Sequence, residues 1–294
     1  MTSVEQSLPQ TNYILRAAAW MSGAVFSFTA MAIAGRALSG DYDTFEIMTY
    51  RSIVGVVLVV SLGWYSGTLK SISTNHFKLQ LMRNIVHFTG QNLWFFALPL
   101  IPLAQLFALE FTTPIWVIVM AVVFLGERLT LTRLMATTLG FIGVLMVAKP
   151  GVATIDIGLI TAALAAVGFA ATAIFTKMLT QRTDMINILF YLTVTQVVFG
   201  FITAGYDGDM APPTLAALPW LTLVGCAGLF AHFCMTRALA IAPASVVTPF
   251  DFARLPIIAV IGMMFYNEPL DLLALIGAAV VFAANYINIK GEGR

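Results

Sequence analysis

The chain of 294 residues is 60% hydrophobic and 10% charged, with a formal net charge of +1. A soluble domain of this length would carry about 25% charged residues, so the composition indicates a protein whose solvent is lipid. The nearly neutral charge gives no reason to expect nucleic acid as a partner.

Apolar stretches long enough to cross a bilayer recur along the whole chain. A membrane helix needs about 20 mostly apolar residues. We predict ten such spans, at 16–38, 44–64, 80–98, 102–125, 130–148, 157–179, 185–205, 215–238, 244–266 and 270–289. Turn signals at 39–41, 149–151 and 207–209 fall between spans. Pro99 and Pro102 leave two interpretations open at the third boundary, a tight turn or a kink within one long helix.

The second half of the chain repeats the first at a constant offset of 141 residues, without gaps. Asp43 matches Asp184 in this register, and Tyr50 matches Tyr191. Further matches along the same register are Ala97 with Ala238, Pro102 with Pro243, Phe124 with Phe265 and Leu131 with Leu272. We therefore predict two related halves, residues 1–150 and residues 151–294, each with five spans.

The basic residues predict how the spans are oriented. If the N-terminus is cytoplasmic, only Arg36 and Lys149 fall on the opposite side of the membrane. The cytoplasmic side then holds Arg16, Lys70, Lys78, Arg83, Arg128, Arg133, Lys177, Arg182, Arg237, Lys290 and Arg294. Because five is an odd number, the second half must enter the membrane from the opposite face. The predicted fold is an all-α integral membrane protein of ten transmembrane helices in two inverted five-helix repeats, with both termini cytoplasmic.

Two stretches of the first half resemble a known family. Residues 110–116 read Glu-Phe-Thr-Thr-Pro-Ile-Trp and residues 125–130 read Leu-Gly-Glu-Arg-Leu-Thr, similar to the fourth and fifth helices of EamA-type permeases of the drug/metabolite transporter superfamily. The corresponding stretches 249–256 and 267–269 match less well. The resemblance implies a bacterial cytoplasmic-membrane permease with a central cavity lined by the first, third, fourth, sixth, eighth and ninth spans. Members carry amino acids, vitamins, nucleotide-linked metabolites and drugs.

Ionisable residues within spans are costly, so each is a functional candidate. Asp251 and Arg254 are three residues apart and share a helix face, so they can form an ion pair. The pair is either structural, or a substrate or proton competes for one of its two members. Glu110 and Asp251 are related by the 141-residue offset, which makes them candidate proton-coupling sites. Alternatively, Glu110 pairs with Arg51.

A polar stripe in the third span predicts a binding surface for the solute. His87, Gln91 and Trp94 share one helix face, and His232 is the repeat mate of Gln91. Hydrogen bonding between helices is the alternative role. Trp20 and Phe107 are further candidate contacts, although aromatic residues at helical spacing also serve in packing.

Other residues predict structural roles. Glu127 and Glu268 precede the fifth and tenth spans, where a helix N-terminus favours a carboxylate. Pro114, Pro249 and Pro256 lie inside spans and predict kinks, either static or acting as hinges for gating.

These features favour a secondary active transporter of a small organic metabolite, working by alternating access. No Gly-x4-Gly-Lys-Ser/Thr motif occurs, so a gradient, with protons as the candidate coupling ion, must drive transport. The expected solute is amino-acid-like or heteroaromatic, a class that includes vitamins such as riboflavin. The alternatives are an intramembrane enzyme acting on a lipid-linked or small apolar substrate, and a channel. We expect no catalytic residues, no cofactor and no metal site, in a monomer or homodimer.

Overall fold

The computed structural model describes residues 10–126, 130–148, 156–206, 208–268 and 272–292. All regular secondary structure in these residues is helical, which confirms the prediction of an all-α protein. The α-helices are α1 (Gln10–Leu38), α2 (Thr44–Tyr65), α3 (Phe77–Ala97), α4 (Leu103–Glu110), α5 (Thr113–Leu125), α6 (Leu131–Ala148), α7 (Ile157–Thr180), α8 (Met185–Ala204), α9 (Leu218–Ile241), α10 (Ala244–Val247), α11 (Arg254–Tyr266) and α12 (Leu272–Glu292). Short 3-10 helices cover Thr68–Ser71 and Thr248–Ala253.

Several helices are long and apolar enough to cross a membrane, as expected of an integral membrane protein. Within the described residues there are six of these segments: Tyr13–Leu38, Thr44–Tyr65, Leu103–Phe124, Ile157–Thr180, Met185–Ala204 and Leu218–Ile241. The third helix, α3, is outside this set, and it carries a row of buried polar side chains.

Two of the predicted spans are broken helices. The stretch 102–125 divides into α4 and α5 at Phe111 and Thr112, and Pro114 lies in the first turn of α5, where its missing N–H leaves no bond unmade. The stretch 244–266 divides into α10, the 3-10 segment Thr248–Ala253 and α11. Both divisions lie close to prolines for which the sequence predicts kinks, Pro114 in the first stretch and Pro249 and Pro256 in the second. Apolar composition predicts which segment crosses the membrane, but it does not show where one helix ends and the next begins within that segment.

The helix boundaries follow the repeat in the sequence. Five helices of the second half begin 141 residues after a helix of the first half. The first residues of these pairs are Thr44 and Met185, Phe77 and Leu218, Leu103 and Ala244, Thr113 and Arg254, and Leu131 and Leu272. Both broken stretches therefore occupy equivalent places in the two halves.

The most extensive packing joins helices of one half to helices of the other. Helix α1 packs along α9, α3 along α7, α2 along α8 and α6 along α12. The α3–α7 crossing is close enough that the backbones of Gly90 and Gly168 lie in contact, which a larger residue at Gly168 would prevent. These cross-half contacts enclose the polar interior between α1, α3, α7 and α9.

Candidate functional site

A cavity of about 780 Å³, counted together with its open mouth, lies between these helices. Its walls come from α1, α3, α4, α5, α7, α9, α10, the 3-10 segment Thr248–Ala253 and the first residue of α11. These elements form the first, third, fourth, sixth, eighth and ninth predicted spans, which are the spans that the family resemblance implies. The apolar part of the lining includes Met21, Phe28, Met31, Phe111, Phe169 and Met235.

The two helix breaks bring three charged side chains together on one wall. Glu110 ends α4, Asp251 lies in the 3-10 segment and Arg254 begins α11. A guanidinium nitrogen of Arg254 lies 2.5 Å from Glu110 Oε1 and also pairs with Asp251. Trp94 Nε1 donates to the second oxygen of Glu110 over 2.7 Å. The predicted pairing of Asp251 with Arg254 is therefore confirmed, and Glu110 is a further partner that the spacing did not indicate.

Aromatic rings hold the guanidinium of Arg254 from other directions. Its central carbon lies 5.0 Å from the ring centre of Phe28, 4.8 Å from that of Phe107 and 5.9 Å from that of Phe111. These distances are within the range of cation–π attraction. Because Arg254 is only 1% exposed, the ions and rings together fix its position.

The lining of the cavity also contains a pair of histidines. The rings of His87 and His232 meet edge to face, with centres 4.4 Å apart, and both residues are buried. None of their four ring nitrogens has a hydrogen-bond partner in the described part of the chain. Buried polar atoms are normally paired, so these unpaired nitrogens make the two histidines candidates for hydrogen bonding to a ligand or to water.

Gln91 connects the cavity to a charge behind it. Its side-chain oxygen accepts a hydrogen bond from Arg51, which is 5% exposed and is not among the residues lining the cavity. The alternative that Glu110 pairs with Arg51 was wrong, because Glu110 faces Arg254 across the helix breaks. Arg51 instead borders a smaller cavity between α2, α8 and α9.

Two predicted contact residues lie outside the lining of the cavity. Trp20 packs edge to face against Phe233, with ring centres 5.6 Å apart. Phe107 is fully buried behind the wall, between Arg254 and Trp94. His87, Gln91, Trp94 and His232 do line the cavity, whereas Trp20 and Phe107 support it from behind.

The structure also shows polar residues that the sequence analysis missed. Gln80, Arg83 and Asn84 are fully buried on α3, and Arg83 Nε donates to Thr176 of α7 over 3.1 Å. The sequence analysis counted Arg83 only among the basic residues of the cytoplasmic side, and it did not indicate that protein encloses its side chain. The signal was available, because positions 80, 83, 84, 87, 91 and 94 continue one helical stripe.

Glu268 caps a different helix from the one expected. It lies 2.6 Å from Arg36 of α1, and its other oxygen accepts from the backbone N–H of Leu103 over 3.0 Å. The carboxylate therefore stabilises the N-terminus of α4. Its repeat mate Glu127 lies outside the described residues.

A comparison with protein families accounts for this arrangement. The model of the EamA-like transporter family matches residues 15–149 and, again, residues 156–289. The chain belongs to the EamA-like transporter family. Among the described residues of this EamA-like protein, no group of three or more His, Cys, Asp or Glu side chains could hold a metal ion.

Relatives of this EamA-like protein carry different solutes. It is 26% identical over 273 residues to the S-adenosylmethionine uptake transporter of Rickettsia bellii (strain RML369-C), covering 93% of each chain. It is 29% identical over 250 residues to the riboflavin transporter of Brucella anthropi, covering 84% of this chain and 88% of the relative. The pseudopaline exporter of Pseudomonas aeruginosa is 25% identical over 262 residues, with 89% of this chain and 91% of the exporter covered.

A solved crystal structure shares the fold. It is 13% identical in sequence, with a TM-score of 0.72, and the likeness covers 92% of this chain and 95% of the other. At that identity the likeness concerns the fold alone.

Proposed function

We propose that this EamA-like protein is a secondary transporter that moves a small organic metabolite across the bacterial cytoplasmic membrane by alternating access. The observation that carries the proposal is the buried cavity at the meeting point of two broken helices. Transporters place their solute sites at such points, between repeated halves near the bilayer midplane. Because the relatives described above are transporters, we propose transport without catalysis.

The architecture that we propose is ten transmembrane helices in two inverted repeats, residues 1–150 and 151–294. The equal 141-residue spacing of helix starts supports two equivalent halves. The packing is reciprocal, because α1 contacts the repeat mate of α3, and α3 contacts the repeat mate of α1. This reciprocity is expected of a pseudo-twofold axis. The distribution of Lys and Arg supports cytoplasmic termini.

We propose that the solute lies against His87, Gln91, Trp94 and His232, beside the charged wall to which Trp94 donates. The mixture of aromatic rings, thioethers and unpaired nitrogens suits an amino-acid-like or heteroaromatic solute. Two of the relatives carry solutes of that kind, S-adenosylmethionine and riboflavin. Trp20 and Phe107 would then act indirectly, by holding the walls.

A ligand screen tests this function directly. The purified protein is heated in the presence of members of a metabolite library that includes riboflavin and S-adenosylmethionine. A ligand that binds only the folded state raises the melting temperature by mass action. We expect such a ligand to lose its effect in His87→Ala and His232→Ala, and to keep it in the control Trp20→Phe. A ligand whose effect survives in both histidine variants would contradict the proposed site.

The two carboxylates of the charged wall are the proposed proton-coupling groups. We expect Glu110→Gln and Asp251→Asn, separately, to weaken uptake driven by a pH gradient at least severalfold while protein levels stay normal. A neutral amide keeps the shape of the side chain but cannot exchange a proton. The measurement is uptake into proteoliposomes with and without an imposed pH gradient, with Asp156→Asn at the start of α7 as control. Full proton-driven flux in both variants would exclude coupling at these residues.

Polar contacts join α1, α4 and the end of α11. Glu268 pairs with Arg36 and accepts from the N–H of Leu103, and the ring of Tyr266 lies 4.7 Å from the guanidinium of Arg36. Together these contacts form a tie between the three helices. We propose that this tie closes one end of the cavity and opens during transport. We expect Glu268→Gln to increase severalfold the rate at which an impermeant thiol reagent labels Ile101→Cys, a buried site beside the tie.

The labelling experiment needs a background without the natural cysteines Cys226 and Cys234. Glu46→Gln is the matched control, because Glu46 also caps a helix and accepts from the N–H of Ala211. Equal labelling rates in Glu268→Gln and Glu46→Gln would contradict a gating role for the tie.

A further inference from the structure

The hydrogen bond between Gln91 and Arg51 fixes which way the amide of Gln91 faces. A guanidinium carries only donors, so the atom that meets it must be the amide oxygen. The oxygen of Gln91 does accept from Arg51 Nη1. The amide NH2 group therefore points away from Arg51, and Gln91 lines the central cavity. One wall of the cavity thus presents a hydrogen-bond donor.

The side chain of Arg51 is confined to this position by its surroundings. It is buried between α2 and α9, and Gly228 leaves the space that its guanidinium occupies. A Cβ atom on Gly228 would lie 2.7 Å from Nη2 and 3.0 Å from Cζ of Arg51. Nη1 also contacts the sulfur of Met48 at 3.8 Å. Arg51 is therefore a positioning residue that acts on the cavity through Gln91.

The charged wall of the cavity, to which Trp94 donates, carries two carboxylates and one guanidinium. The charged side chains among the described lining residues are Glu110, Asp251 and Arg254, two carboxylates to one guanidinium. Asp251 Oδ1 is buried and has no hydrogen-bond partner in the described part of the chain. An uncompensated charge in a protein interior is strongly unfavourable, so this wall attracts a cation.

We infer that the transported solute carries a positively charged group, which pairs with Asp251, and a hydrogen-bond acceptor, which receives the amide N–H of Gln91. A carbonyl, a carboxylate or a ring nitrogen would serve as the acceptor. The inference rests on the proposed transport function and narrows its substrate class to organic cations and zwitterions. The same carboxylate then binds the solute or a proton in turn, so the two compete for the site.

Pairs of compounds that differ in charge but share their shape test this inference. Phenylalanine is compared with 3-phenylpropionate, and tryptophan with indole-3-propionate, and in each pair the second compound lacks the ammonium group. Riboflavin is the neutral probe with carbonyl acceptors. Binding is measured by thermal shift and uptake in proteoliposomes. We expect the more positive member of each pair to bind at least about tenfold more tightly than the other member, because a hydrogen bond to a charged group contributes about that much.

Two variants assign the discrimination to the two walls. Gln91→Glu still satisfies Arg51 but places an acceptor where the wild type has a donor. Because both members of a pair carry the acceptor, this variant should bind every compound that the wild type binds at least tenfold more weakly, without losing melting temperature. Asp251→Asn should remove the preference for the more positive member of each pair.

The outcomes separate the inference from the function on which it rests. Saturable uptake of riboflavin or indole-3-propionate, without uptake of the more positive compounds, would overturn the inference and leave the transport function intact. Unchanged affinities in Gln91→Glu would also overturn it. If none of the five compounds binds or enters the liposomes, the inference and the proposed solute class both fail.

Discussion

Replacing Arg254 with leucine is expected to destabilise the folded protein by about 3–5 kcal/mol, because it leaves the buried carboxylate of Glu110 and the partly buried carboxylate of Asp251 without their shared partner. Arg254 lies 2.5 Å from Glu110, also pairs with Asp251, and is 1% exposed. The substitution would also remove the cation from between the rings of Phe28 and Phe107. The measurement is the melting temperature and the monodisperse yield of the detergent-purified variant.

Two further variants show whether charge is the cause. Arg254→Lys keeps the positive charge and should lose less stability than Arg254→Leu. Adding Glu110→Gln and Asp251→Asn to Arg254→Leu should recover part of the loss, because the unpaired charges are then gone. Equal yield and melting temperature for Arg254→Leu and Arg254→Lys would show that the ion pairs do not hold this wall together.

The second large effect is expected at the crossing of α3 and α7. A Cβ atom on Gly168 would lie 3.0 Å from Cα of Gly90 and 3.1 Å from the carbonyl oxygen of Val86. Both are backbone atoms, so neither can swing aside as a side chain would. We expect Gly168→Ala to cost about 1–3 kcal/mol of stability through overpacking. Because α3 carries His87 and Gln91, ligand affinity should fall as well.

Gly140→Ala is the matched control, since Gly140 also lies inside a helix. Among the residues that the structure describes, its added Cβ would meet Ala284 of α12 alone, at an ordinary contact distance of 3.8 Å. There the better helix propensity of alanine should leave stability unchanged or slightly raised. Both variants are compared by melting temperature and ligand-induced shift. A Gly168→Ala protein as stable as Gly140→Ala would mean that the two helices do not meet as closely as the structure shows.

The sequence predicted the helical fold well, because hydropathy and turn residues act locally. The 141-residue register gave the starts of later helices, such as Met185 and Leu272, from those of earlier ones. Hydropathy could not locate the break at Phe111 and Thr112, because an apolar segment looks the same whether its helix is continuous or divided. The sequence offered Pro114 as the only local sign of that break.

The candidate site was predictable in its parts but not in its pairing. Periodicity placed His87, Gln91 and Trp94 on one face of α3, and all three line the cavity. Arg254 also pairs with Glu110, which lies 144 positions away in the chain, and that pairing depends on how the two broken helices meet. Helical spacing predicts contacts only between near neighbours in the chain, so it indicated Asp251 as a partner of Arg254 but could not indicate Glu110.

Counterflow in proteoliposomes tests the central claim most directly. Vesicles containing the purified protein are preloaded with an unlabelled solute found by the ligand screen, and entry of the labelled solute is followed over time. A transporter that alternates access should show saturable entry that the internal solute accelerates, and His87→Ala should abolish both. Entry that rises linearly with concentration and ignores the internal solute, or chemical conversion of the solute, would contradict alternating-access transport.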